Sequence, residues 1–170
     1  MICWYANAME EVYVRNIIFG VADSLVSTVG LLSGIAVSGT SHSTIVLTGI
    51  VYAFVESLSM AVGSFLSEET AEEFASKAEN TSSTPVLASI VMFLSFLISS
   101  FIPIFPYLVF GTSSALGFSI GFSLITLFVV GLVMAHISRV RLARHAVKMV
   151  ILGGAAILVG VVVGKFVHVS

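Results

Sequence analysis

From Val86 to His136 the chain contains not one Asp, Glu, Lys or Arg. Soluble domains are about a quarter charged and cannot keep water off so long an uncharged stretch. A bilayer demands one, because its hydrocarbon offers no water to hydrogen-bond a bare backbone. Each crossing then takes roughly 20 mostly apolar residues wound into a helix. Five such runs are legible: about 17–37, with Asp23 as its one charge; 45–66, with Glu56; 86–102; 107–135; and 149–167, with Lys165 near its end. Pro103 and Pro106 predict a backbone break and a tight turn between the third and fourth. Over 170 residues, 58% hydrophobic and 9% charged, this leaves no room for a separate soluble domain. The expected fold is all-α: an integral membrane bundle of five transmembrane helices, with residues 1–170 forming a single transmembrane domain.

Charge placement orients the bundle. The segment 67–84 is acidic and 137–148 is basic. With the N-terminus in the cytoplasm, Arg15, Lys77, Arg139, Arg141, Arg144 and Lys148 fall on one side and Lys165 alone on the other. Excess Lys and Arg marks the cytoplasmic face, so the N-terminus is expected inside and the C-terminus on the opposite side. The first residues place acids before their one base and lack an apolar core, which is not the pattern of a cleaved signal peptide. Trp4, Tyr5 and Tyr13 fit a segment at the membrane interface. Cys3, the single cysteine, excludes a disulfide within the chain. An odd number of spans argues against two inverted halves, so a symmetric pathway would have to come from oligomerisation.

An acid at the centre of a membrane helix costs about 2.5–3.5 kcal/mol, and two are present. Asp23 sits about two turns into the first span, and Glu56 near the middle of the second. On a helix Gly20, Asp23, Ser24, Ser27, Gly30 and Gly34 share one small, polar face. Gly49, Glu56, Ser59, Met60 and Gly63 do the same on the second span. Glu56 and Met60 are i, i+4 neighbours, which sets a thioether beside a carboxylate. Oxygen donors suit hard divalent cations, and a thioether tilts the choice toward transition metals. Two carboxylates balance one divalent ion and can carry protons when it leaves. The plain alternative for each acid is an interhelical hydrogen bond, and for Met60 alone it is packing. The pairs Gly30/Gly34, Gly117/Gly121 and Gly160/Gly164 read as ordinary packing faces.

Neither Gly nor Pro follows Gly63 before residue 84, so the second helix is expected to run on past the membrane. Its end carries Glu68, Glu69, Glu72 and Glu73, whose i, i+4 repulsion needs an offset. Captured divalent metal or the basic segment 137–148 could supply it, and a solvated charged face is the alternative. His136 and His145 are nine residues apart and do not share a helical face. His42 and His168 stand alone. The sequence Asn80-Thr81-Ser82 matches a glycosylation acceptor but falls on the expected cytoplasmic side.

The stretch Asn16-Ile17-Ile18-Phe19-Gly20-Val21-Ala22-Asp23-Ser24-Leu25-Val26-Ser27, followed by Ser59-Met60-Ala61-Val62-Gly63-Ser64-Phe65-Leu66-Ser67, resembles the vacuolar iron transporter family. The resemblance implies five spans and a homodimer that exports Fe²⁺ or Mn²⁺ from the cytosol in exchange for protons, along a pathway between protomers. Asp23 and Met60 match the family's pore positions. Ser24 stands where the family usually has Gly, and Ser64 where it has Glu. The family's cytoplasmic metal-binding insertion shrinks here to 67–84. Glu56, two turns from Ser64, is expected to replace the missing carboxylate.

The expected function is therefore divalent transition-metal export. Asp23, Glu56 and Met60 would bind metal in the membrane, and Glu68, Glu69, Glu72 and Glu73 would gather it at the cytoplasmic mouth. The metal is cargo, and no permanently bound cofactor is expected. The alternative is a non-transporting membrane metal sensor or scaffold of the same fold. The chain lacks a His-Glu-x-x-His pair, so no enzyme is expected. Expected partners are a second copy, the lipid bilayer and a divalent ion, with no nucleic acid. The host would be a plasma membrane in a prokaryote or a vacuolar-type membrane in a eukaryote.

Overall fold

A computed structural model of the protein describes residues 2–76, 84–137 and 142–167. They form five helices: α1 (Ile2–Val37), α2 (His42–Ser76), α3 (Thr84–Val109), α4 (Thr112–Ile137) and α5 (Leu142–Phe166). Each contains a stretch long and apolar enough to cross a membrane, and no strand occurs among the described residues. We call the side where α1 begins the near side and the side where it ends the far side; the later helices alternate between them. Lys77, Arg139, Arg141, His168 and Asn80-Thr81-Ser82 lie outside the described residues, as do the side chains of Cys3, Trp4, Tyr5 and His145.

α1 is the most enclosed helix. It packs along α3 and α5 and reaches α4, whereas α2 leans on α3 and touches α1 sparsely. Leu25, Val29, Leu32, Phe96, Ile104, Tyr107 and Leu127 are fully buried or nearly so. Outward faces are apolar too. On α2 Leu47, Val51, Val55, Leu58, Val62 and Leu66 form a continuous exposed stripe. In water that area would be penalised at roughly 25 cal/mol per Å²; against lipid tails the penalty vanishes.

The first turn has a clear local cause. Gly39 adopts φ +86°, a left-handed conformation that ends α1. The Ser41 hydroxyl then accepts from the Thr44 N–H at 3.3 Å and caps α2. His42 Nδ1 lies 3.2 Å from Thr112 Oγ1, tying this far-side turn to the next one.

The proline reading needs correction. α3 runs through Pro103 and Pro106 to Val109, so the turn falls after Val109 instead of between residues 102 and 107. A broken helix at that depth would leave backbone groups bare in hydrocarbon. Continuing costs less, because neighbouring hydroxyls can satisfy the backbone groups that a proline disturbs. Ser119 of α4 ties this stretch to its neighbour, donating to the Pro103 carbonyl at 2.7 Å. The basic segment differs as well: α5 begins at Leu142, which makes Arg144 and Lys148 exposed helical residues instead of parts of a loop. As expected, α2 continues past Glu68 and ends at Ser76.

Candidate cation site

α1 and α2 run antiparallel, so each step toward the far side on α1 matches a step back along α2. Four polar rungs link them at that register. Arg15 forms an ion pair with Glu68. The Ser64 hydroxyl donates to Asn16 Oδ1 at 3.0 Å. Asp23 and Glu56 lie within electrostatic reach of each other. Tyr52 stands close to Ser27 and to both carboxylates. The Ser27 hydroxyl also donates to the Asp23 carbonyl at 2.7 Å, which holds that turn of α1.

The structure thus brings Asp23 and Glu56 together. Both are half-buried, and neither forms a salt bridge with any described Lys, Arg or His. Two carboxylates within electrostatic reach of each other, with no described basic residue paired to either, form an electrostatic well for a cation. Among the described residues no three His, Cys, Asp or Glu side chains come close enough to hold a metal ion. One protomer offers the carboxylate pair, with the Ser27 and Tyr52 hydroxyls beside it.

Met60 and Ser64 belong to a different recess. A near-side cavity of about 600 Å³ is lined by Arg15, Asn16, Ser59, Met60, Ser64, Glu68 and Met92, among others. Glu56 is not part of that lining and faces Asp23. At position 64 a neutral hydrogen bond to Asn16 occupies the place, and the carboxylate in the cavity wall is Glu68, one turn further on.

The four glutamates do not act as one group. Glu68 turns inward, is 8% exposed, and takes Arg15 of α1 as its counter-charge. The offset expected from metal or from residues 137–148 is, for this residue, supplied by α1. Glu69 and Glu73 are exposed and Glu72 is half-buried.

The small-residue face of α1 is divided among three neighbours. Gly20 meets Met92 and Ser95 of α3, and Ser24 Oγ lies 3.1 Å from Ser100 Oγ. Asp23 and Ser27 turn toward α2. Gly30 and Gly34 lie against Ala156 and Gly160 of α5. On α2, Gly49 fits against Leu32 and Ile104, while Ser59 and Gly63 are exposed. The Gly117/Gly121 face meets no other part of the protomer.

Sequence reasoning missed Tyr52, Asn16, Met92 and the structural role of Arg15. Tyr52 is one turn before Glu56 on the same face, and its i, i+4 spacing could have found it. Arg15 is the one base before residue 77, a signal that α2's acids must share it. Met92 carries no such signal, because only tertiary packing sets it beside Met60.

An all-helical membrane bundle with a carboxylate pair in its membrane-spanning part and a polar, thioether-bearing recess below it defines a class: membrane proteins that handle cations inside the bilayer. The model of the VIT family matches residues 14–84 and 71–165, which together span most of the chain. The chain belongs to the VIT family, and with it to membrane metal-ion transport. The two matched stretches meet in the acidic segment. A search of the curated proteins finds no match.

Proposed function

We propose that the protein is a homodimeric exporter of Fe²⁺ or Mn²⁺ that moves metal out of the cytosol in exchange for protons. The observation that carries the reading is the Asp23–Glu56 pair, set in the membrane-spanning part of α1 and α2 with no described basic residue paired to it. One divalent cation balances the two carboxylates, and so do two protons, which makes exchange between them electroneutral. Among the described residues a single protomer brings no three His, Cys, Asp or Glu side chains together for a transition-metal shell. A two-fold partner would double the set, because an isologous interface repeats every ligand.

In this reading the near side is cytoplasmic. Metal gathered by Glu69, Glu72 and Glu73 passes Glu68 into the cavity, meets Met60, and climbs to Asp23 and Glu56, which stands in for the carboxylate missing at Ser64. The hydroxyls of Ser27 and Tyr52 replace part of its hydration shell. The host membrane is a plasma membrane in a prokaryote and a vacuolar-type membrane in a eukaryote, and no nucleic acid takes part. One observation favours a sensor or scaffold instead: Arg15–Glu68 and Asn16–Ser64 clamp α1 to α2 at the mouth.

Flux in sealed proteoliposomes separates the two. Anaerobic Fe²⁺ or Mn²⁺ is supplied outside, with metal and pH dyes inside. Metal uptake with opposite proton movement is expected, and Asp23→Asn should lower it by at least about tenfold, the effect of losing roughly 1.4 kcal/mol of ion stabilisation. Equal flux in the variant would reject the site. Absence of flux from folded, dimeric wild type would leave the sensor.

A further inference from the structure

The near-side cavity contains a donor that the transport reading does not use. Met92, on α3, lines it together with Met60 of α2, so methionines from two different helices border one recess. Met92 is 4% exposed. Its sulfur lies against Gly20 of α1, where a Cβ would come within 3.2 Å of Sδ and 3.3 Å of the Met92 carbonyl oxygen. A glycine at 20 therefore leaves the sulfur its space on that side. The one carboxylate in the cavity wall, Glu68, is already engaged by Arg15. Of the oxygens there, Asn16 Oδ1 and the Ser64 hydroxyl are engaged with each other. A cation that moves past Glu68 thus meets neutral donors: the Ser59 and Ser67 hydroxyls and the two methionines that line the cavity. Thioethers bind soft and borderline metals and are poor ligands for hard ones.

We infer that Met92 is a second thioether contact for metal in the near-side cavity, so that Met60 and Met92 together rank cations by softness before they reach Asp23 and Glu56. The inference rests on the cation-handling reading above and adds selectivity to it. Mg²⁺ and Ca²⁺, which take oxygen ligands, gain nothing from the sulfurs, whereas Cd²⁺ gains most.

The test uses the full chain in a Cys3→Ser background, which removes the single thiol. Met92→Leu keeps the apolar volume and removes the sulfur. In proteoliposomes the Cd²⁺ to Mn²⁺ flux ratio should fall about fivefold, the effect of a contact worth roughly 1 kcal/mol. An unchanged ratio, or equal loss of both metals, would overturn the inference, since a packing role affects both alike. Cd²⁺ binding to detergent-solubilised protein is measured in parallel by X-ray absorption. A sulfur shell in wild type that shrinks in Met92→Leu supports the contact even if no flux occurs, in which case only the transport reading falls. Identical spectra from the two proteins would sink the contact whatever the flux.

Discussion

Two recesses flank α1, one toward each end, and they use small residues for opposite purposes. The near-side cavity, about 600 Å³, carries an ion pair, an amide, hydroxyls and two thioethers. The far-side groove between α1 and α5, about 670 Å³, is lined by Gly30, Gly34, Gly160, Gly164 and aliphatic chains, with only Ser27, Ser38 and Thr40 polar. In the far groove glycine lets backbone meet backbone. A Cβ on Gly34 would lie 2.7 Å from the Gly160 carbonyl oxygen, and one on Gly160 would strike that of Gly30. In the near cavity glycine makes room for a side chain, Met92 beside Gly20. Small residues on one helix thus bring backbones together in one recess and seat a side chain in the other, and the polar groups gather in the second.

The sharpest way to break this contrast is to add bulk on the far side. Gly160→Val should destabilise the protein by about 3 kcal/mol, the upper range for overpacking. Gly154→Val on the same helix should cost little, since nothing lies within 4 Å of its Cβ position. Thermal unfolding in detergent compares them, and equal midpoints would refute the backbone contact. On the near side the Arg15–Glu68 pair should be lopsided. Arg15→Gln leaves a nearly buried carboxylate without its partner and should cost about 2 kcal/mol. Glu68→Gln leaves a guanidinium whose side chain is 64% exposed and should cost under about 1 kcal/mol. Denaturation of both variants reads the difference, and the reverse order would mean that Glu68 is better hydrated than its position implies. The smallest expected effect is at Ser24–Ser100: Ser100→Ala should cost about 0.6 kcal/mol, typical of interhelical hydroxyl bonds in membranes. A loss of several kcal/mol there would make that pair, not the glycines, the main tie between α1 and its neighbours.

The five helices and both intramembrane acids were legible in the sequence because hydropathy and charge act locally, residue by residue, against a uniform solvent. The run of α2 to Ser76 was legible for the same reason, as no Gly or Pro interrupts it. The prolines misled because their reputation as breakers comes from chains that water can rescue. In hydrocarbon Pro103 and Pro106 are carried inside α3, and a hydroxyl from α4 reaches one of their carbonyls. Periodicity put Gly20, Asp23, Ser24, Ser27, Gly30 and Gly34 on one face, yet a face is wide enough to touch three helices. Which residue meets which neighbour is fixed by crossing geometry, and that is absent from a one-dimensional pattern. The partnership of Asp23 with Glu56 follows from antiparallel register once α1 and α2 are known to adjoin. The inward turn of Glu68 does not, because four glutamates in a row look alike until one of them finds Arg15.

Where Gly30 and Gly34 meet Ala156 and Gly160, backbone packs on backbone, and α1 and α5 have no side-chain layer to compress at those crossings. α2 is coupled to α1 by side-chain rungs and by the short turn at Gly39. Sliding α2 by one residue would break every rung together, whereas tilting it about the Gly39 turn opens them in order. Arg15–Glu68, furthest from the pivot, parts first and widest, and Asn16–Ser64 follows. Leverage therefore runs from the outermost ion pair inward, and a cation that displaces Arg15 from Glu68 acts at the long end of the arm.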